Sequence, residues 1–166
     1  MPQRRSLLAL GCLVALGGCG FQLRGAPELA FDSIYIGGAE SSLLGTELRR
    51  NLASLGKVQI ITDAKLQSSA QVILDIVSEA REKTVVGVNA SGQVREFQLR
   101  TRMKFRLRTP QGKELIPETE ILQQRDISFN ESAVLAKEAE EGLMYRDMQT
   151  DIVQQMMRRL AAVKTL

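Results

Sequence analysis

From Val72 to Ile127 the chain keeps a period of two, and that pattern constrains the fold more than any other feature of its 166 residues. Successive side chains of a strand point to opposite faces, so a half-buried strand alternates apolar with polar. Val72, Leu74, Ile76, Ser78 and Ala80 are expected on one face of a first long strand. Its other face is expected to carry Gln71, Asp75, Glu79, Arg81 and Lys83, interrupted by Ile73 and Val77. Phe97, Leu99, Met103, Phe105 and Leu107 alternate through a second strand, and Leu115 to Ile127 reads as a third. Val88-Asn89-Ala90-Ser91-Gly92 has the chemistry of a chain reversal. Pro110-Gln111-Gly112 predicts a three-residue hairpin loop, with proline preset for a turn and Gly112 free to take positive φ.

Helical periods flank this block. Ser33 to Ile36 is a short β-branched and aromatic run, and Ser41 or Ser42 can cap a helix in which Leu44, Leu48, Leu52 and Leu55 recur. Gly56 can close that helix, and Lys57 to Thr62 reads as a strand. So compact a strand-helix-strand unit predicts a right-handed parallel crossover. Beyond Ser128, Tyr145, Met148, Ile152, Met156, Leu160 and Val163 form a long apolar stripe. Ser128 and Glu131 have the spacing of a capping box, Asn130 is a rival cap, and Gly142 predicts a kink or a break into two helices. The expected fold is an α/β sandwich: a mixed, mostly antiparallel sheet of four to five strands with two helices packed on one face, in the order β-α-β-β-β-β-α. No internal repeat and no second domain is visible.

The N-terminus adds an address. Arg4 and Arg5 give a cationic start, Ser6 to Leu16 form an apolar core, and Gly17-Gly18 precede Cys19. This is the build of a secretory signal peptide. The apolar run is too short to cross a hydrocarbon core that needs about 20 residues. Leu16-Gly17-Gly18-Cys19 resembles the lipobox of bacterial lipoproteins, which predicts cleavage before Cys19 and acylation of its sulfur. Residues 1–18 are then the signal peptide, 19–31 the lipidated N-terminus and linker, and 32–166 a single α/β domain. Removing 18 of the 166 residues leaves 148, enough for one domain with a proper core. Arg4 and Arg5 leave with the leader, so 22 basic residues become 20 against 19 acidic ones. That balance gives no ground for a nucleic-acid partner. Cys12 leaves too, and the remaining Cys19 is committed to lipid, which excludes an intrachain disulfide. Gly20 stands where an aspartate would favour inner-membrane retention in enteric bacteria. The expected location is the outer membrane, anchored through acyl chains to its inner leaflet on the periplasmic side.

The mature start, Cys19-Gly20-Phe21-Gln22-Leu23-Arg24, resembles that of the LPS-assembly lipoprotein family LptE, also called RlpB. Gly92-Gln93, Glu96-Phe97-Gln98-Leu99, Val134-Leu135-Ala136-Lys137 and Met144-Tyr145 are similar to further segments of that family, in the same order. The resemblance implies a non-enzymatic subunit of the lipopolysaccharide translocon. Such a subunit plugs and supports the LPS-assembly β-barrel protein LptD and binds lipopolysaccharide during its insertion into the outer leaflet. It also implies a lipid-contacting role for Lys137. The hairpin tip Asn89, Ala90, Ser91 and Gly92 is another family landmark and a candidate partner contact, but here it carries no cation. An auxiliary lipoprotein of a lipid-transporting ABC system is the alternative that shares an anchor and an α/β fold.

The residues themselves point to one more candidate. Arg100, Arg102, Lys104, Arg106 and Arg108 fall on every second position, so one strand face presents five cations about 6.5–7 Å apart. Such a ladder suits the phosphates of a polyanion such as lipopolysaccharide. It equally suits cross-strand pairing: with Thr109 opposite Lys113, Glu118 is expected across from Lys104 and Glu120 across from Arg102. The same face can also meet a protein wall. Catalysis has little to stand on, because the chain contains no histidine and shows neither a nucleophile elbow nor a P-loop. No metal site and no cofactor are expected.

Overall fold

The computed structural model describes residues 28–166. The expected signal peptide, Cys19 and the Cys-Gly-Phe start lie outside the described residues. The elements are β1 (Ser33–Gly37), α1 (Leu43–Ser54), β2 (Gln59–Ile61), β3 (Val72–Val88), β4 (Val94–Arg108), β5 (Glu114–Ser128) and α2 (Val134–Ala162). The sheet order is β2-β1-β3-β4-β5, with β1 parallel to both its neighbours and the remaining pairs antiparallel. The mixed sheet, the two helices and the element order agree with the sequence expectation. The 3-10 turn at Ala64–Ser69 between β2 and β3, capped by Asp63, had no periodicity to announce it.

Local chemistry explains the helix ends. Ser42 Oγ accepts a hydrogen bond from Gly45 N at 2.7 Å and starts α1, whose Leu44, Leu48 and Leu52 are buried. Gly56, at φ 66°, takes the left-handed conformation that stops it. Before α2 the cap is Asn130, whose Oδ1 accepts from Ser132 N at 3.0 Å. The expected Ser128–Glu131 box does not form, because Ser128 is still the last residue of β5. Nor does Gly142 break the helix: α2 runs unbroken for 29 residues. An interior glycine costs only about 1 kcal/mol, and the six residues Met148, Ile152, Val153, Met156, Met157 and Leu160 bury the helix beyond it.

Two apolar clusters hold the layers together. In the larger, Leu44, Leu48 and Leu52 of α1 and Ile152, Val153, Met156 and Leu160 of α2 meet Ile34, Leu74, Met103, Phe105 and Leu107 of the sheet. Phe31 belongs to it and Leu29 packs against it, so the last of residues 19–31 already form part of the body. The smaller cluster joins Leu99, Ile127 and Met148, with Phe97, Met144 and Tyr145 against it.

Two irregularities in the sheet change which residues share a face. Ile76 pairs with Phe105 and Ser78 with Lys104, which leaves Val77 as the extra residue of a β-bulge. Beyond it the alternation inverts. Glu79, Arg81 and Lys83 turn to the helix side, while Ser78 and Ala80 turn to the open face, the reverse of the expectation from period two. On β5 the register shifts twice around Pro117, so Lys104 lies opposite Glu120 and Arg102 opposite Leu122. The expected partners were Glu118 and Glu120. Proline cannot donate to the ladder, and strands accommodate it at edges and bulges; two single-residue shifts restore the original face.

Candidate functional site

The open face of the sheet carries the cationic ladder as expected. Thr101, Met103, Phe105 and Leu107 point into the core, which turns Arg100, Arg102, Lys104, Arg106 and Arg108 outward together. The rungs are not equivalent. Asp75 of β3 accepts hydrogen bonds from Arg106 Nε and Arg108 Nε, each at 2.8 Å. Partial burial alone would raise the Asp75 carboxyl, but the hydrogen bonds from Arg108 and Arg106 together outweigh it and hold it below the usual carboxylate value. The same bond raises the Arg108 guanidinium, against the opposing effect of burial. These two rungs are locked.

The upper rungs are held loosely. Arg102 lies 3.7 Å from both Glu82 and Glu120, and Lys104 lies 3.7 Å from Glu120. Those separations are ion pairs without hydrogen bonds, and Arg102 Nε is a buried donor with no hydrogen-bond partner among the described residues. Arg100 Nε donates only to a neutral group, Gln98 Oε1, at 2.8 Å. Exposed pairs of this kind contribute about 0–1 kcal/mol, so a phosphate competes with them on favourable terms.

Lys137 sits in the first turn of α2, with Nζ donating to Ser128 Oγ at 3.0 Å and to Glu140 Oε2 at 2.8 Å. It therefore stands at the upper end of the sheet, toward Arg100 and away from Asp75. The tip is a closed Asx turn: Asn89 Oδ1 accepts from Ser91 N and Gln93 N at 3.0 and 2.9 Å, and Gly92 takes φ 78°. Ala90 and Ser91 project from it as exposed side chains.

Sequence reasoning missed a polar seam on the helix side, because the bulge at Val77 shows in the sequence only as an apolar interruption like the one at Ile73. Arg81 donates to Gln149 Oε1 at 2.7 Å and lies over the Tyr145 ring at 5.3 Å. Lys83 pairs with Glu141 at 2.6 Å and covers Phe97. The Tyr145 hydroxyl donates to the Glu82 carbonyl at 2.9 Å. Burial, and secondarily the Glu141 charge, raise its pKa over the lowering effect of Arg81. Among the described residues, no group of three metal-ligating side chains converges, and no helix is long and apolar enough to cross a membrane.

The sequence profile of the family LptE, lipopolysaccharide-assembly, matches residues 31–160. That span reaches from Phe31 in the core to Leu160 in the last buried turn of α2. The chain belongs to the LptE family. Relatives cover most of its length. The LPS-assembly lipoprotein LptE of Pectobacterium atrosepticum is 26% identical over 166 residues, covering 98% of this chain and 88% of that protein. The solution structure of lipoprotein B from Nitrosomonas europaea superimposes with a TM-score of 0.73 at 36% identity, covering 86% of this chain and 91% of that one. Rare lipoprotein B from Shewanella oneidensis shares the fold at a TM-score of 0.64 and 21% identity, over 78% of this chain and 94% of that one. As a member of the LptE family, the chain is an LPS-assembly lipoprotein.

Proposed function

We propose that this LptE-family lipoprotein is anchored to the inner leaflet of the outer membrane through acylated Cys19 and works there as a non-enzymatic subunit of the lipopolysaccharide translocon. It fills and supports the LptD β-barrel, with the tip Asn89–Gly92 directed into the lumen, and it contacts lipopolysaccharide phosphates. The observation that carries this reading is the family match over all five strands and both helices. The geometry sharpens it. Asp75 occupies Arg106 and Arg108, whereas Arg100 and Arg102 are free to exchange weak partners for a phosphate. The lipid contact is accordingly assigned to Arg100, Arg102 and Lys104, with Lys137 added on the family resemblance alone, since it is itself paired with Glu140, and Arg106 serves the fold.

Two experiments test it. Arg100→Gln with Arg102→Gln should weaken lipopolysaccharide binding and flatten its salt dependence, while Arg106→Gln should leave binding unchanged. Equal loss from both variants would remove the assignment. Co-purification in detergent should recover a large β-barrel protein; recovery of an ATPase-permease pair instead would place the chain in a lipid-transporting ABC system.

A further inference from the structure

The sheet contains a vacant strand position. β1 pairs with β3 only from Val72 to Asp75, then leaves the sheet at Gly38, whose φ is 79°. β3 continues to Val88, so the 13 residues from Ile76 to Val88 have no strand on that side among the described residues. Long free edges invite pairing, and proteins guard them with lysine, proline or short strands. The one lysine in this stretch, Lys83, is drawn onto Glu141 of α2 and so does not guard the edge, and at its two ends Val77, Val85, Val86 and Val88 are 46, 46, 49 and 60% exposed. A groove begins where β1 departs, lined by Leu43, Ile76, Val77, Ser78, Glu79 and Arg81. Leu43, on the first turn of α1, is itself 57% exposed.

A second copy of the chain is a poor occupant. The longest two-fold antiparallel register confined to Ile76–Val88 is centred on Glu82. It sets Glu82 against Glu82 and Arg81 against Lys83 twice, and like charges directly opposite destabilise a pair of strands. Moving the centre toward Ile76 drives one copy's Val85–Val88 into the position that β1 holds in the other. Moving it to Lys83 opposes two lysines. A different strand satisfies the edge better. Arg81 has no carboxylate partner among the described residues and faces the helix side, where an acidic residue of an incoming strand would meet it. Aliphatic residues flanking that acid would cover Val77, Leu43 and Val85.

We infer that β3 accepts an extended segment of a partner protein by strand addition along Ser78–Val86, in line with β1, the segment carrying an acidic residue between aliphatic ones. The inference rests on the reading that the chain works inside a protein complex, and the test separates the two. A photo-crosslinker replaces Thr84, exposed beside the free edge, or Ala90 at the tip, in the full-length lipoprotein in cells; the trapped peptides are sequenced. Thr84 should trap one contiguous segment of a single partner. Val77→Lys combined with Val86→Lys should lower that yield by about tenfold, as edge lysines oppose pairing, with thermal stability unchanged. A barrel trapped from Ala90 but nothing from Thr84 overturns the inference and leaves the barrel reading intact. A strand of a protein that is not a barrel, trapped from Thr84, upholds the inference and removes that reading. A second copy trapped from Thr84, unchanged yield in the lysine variant, or no product at either position each overturns the inference.

Discussion

The two ends of the sheet are built to different standards. At the end nearest Phe31 five strands lie side by side under both helices, and the larger cluster fills the space between the layers. At the other end β3, β4 and β5 run on beyond β1 and β2. α2 covers them alone, with a buried cluster of three residues and a seam of polar contacts through Arg81, Lys83 and Tyr145. Thr101 marks the joint: it lies between Met103 of one cluster and Leu99 of the other, and its buried Oγ1 has no hydrogen-bond partner among the described residues. The broad end holds the fold. The narrow end, with its exposed valines and loosely paired cations, has few buried apolar contacts and is expected to be the less stable of the two.

Leu107 and Leu99 test this contrast most directly, since both are fully buried on β4 and lie in different clusters. Leucine-to-alanine changes in cores cost about 2–5 kcal/mol, more where the site cannot collapse. Leu107→Ala should fall at about 4–5 kcal/mol and Leu99→Ala at about 2–3 kcal/mol, because the thin end relaxes around its cavity. Denaturant midpoints check this, and equal losses would break the contrast. Amide exchange should follow the same order, with Glu96–Arg100 exchanging through smaller openings than Met103–Leu107.

The broad end was legible in the sequence because its signals are local and redundant: leucines every four residues in α1, a serine cap, a glycine stop and apolar alternation through β4. The narrow end was less so. Val77 showed only as an apolar residue on the expected polar face, as Ile73 did, and Ile73 stays in register, so the interruption did not by itself mark a bulge. Without it, Glu79, Arg81 and Lys83 fall on the wrong face. Pro117 did carry a usable signal, because a proline inside a predicted strand argues for a shift in register. The cations of the ladder were visible as a row. Which of them were already engaged depended on Asp75, a residue of another strand whose register only the fold supplies.

Asp75 offers the next largest effect, and it belongs to the broad end. Asp75→Asn removes the charge that faces Arg106 and Arg108 and should cost about 1–2 kcal/mol at neutral pH, reduced from a buried value by partial exposure. The sign with pH follows from its lowered folded pKa. Its contribution is complete above the ordinary aspartate value of 3.8 and disappears as pH falls through the lower folded value. Wild type and variant should converge in acid. A gap that persists there would mean that packing, not charge, is what the substitution removes.

Tyr145→Phe probes the narrow end with one atom. It deletes the hydrogen bond to the Glu82 carbonyl but keeps the ring that Arg81 covers, so the expected cost is about 0.5–1.5 kcal/mol. Exchange should quicken in Arg81–Thr84 and not in Val72–Asp75. A uniform increase along β3 would show the two ends to be one cooperative unit.

The smallest effect is expected at Gly142, and its direction is the informative part. This glycine lies within α2, above the narrow end, exposed and with open space where a Cβ would stand. Alanine there adds no clash and restricts the unfolded chain, so Gly142→Ala should raise stability by about 0.5–1 kcal/mol. One helix face carries Leu135, 83% exposed, two turns before the glycine, with the exposed charges of Glu138 and Arg146 one turn to either side of it. If that surface is left free for a partner that approaches the helix backbone closely, the variant gains stability alone and loses recovery of the complex. Thermal melting of the isolated protein and co-purification yield separate the two properties. A gain in both would show that nothing packs on Gly142, and that the low cover of the narrow end serves the free edge of β3 and the ladder face rather than α2.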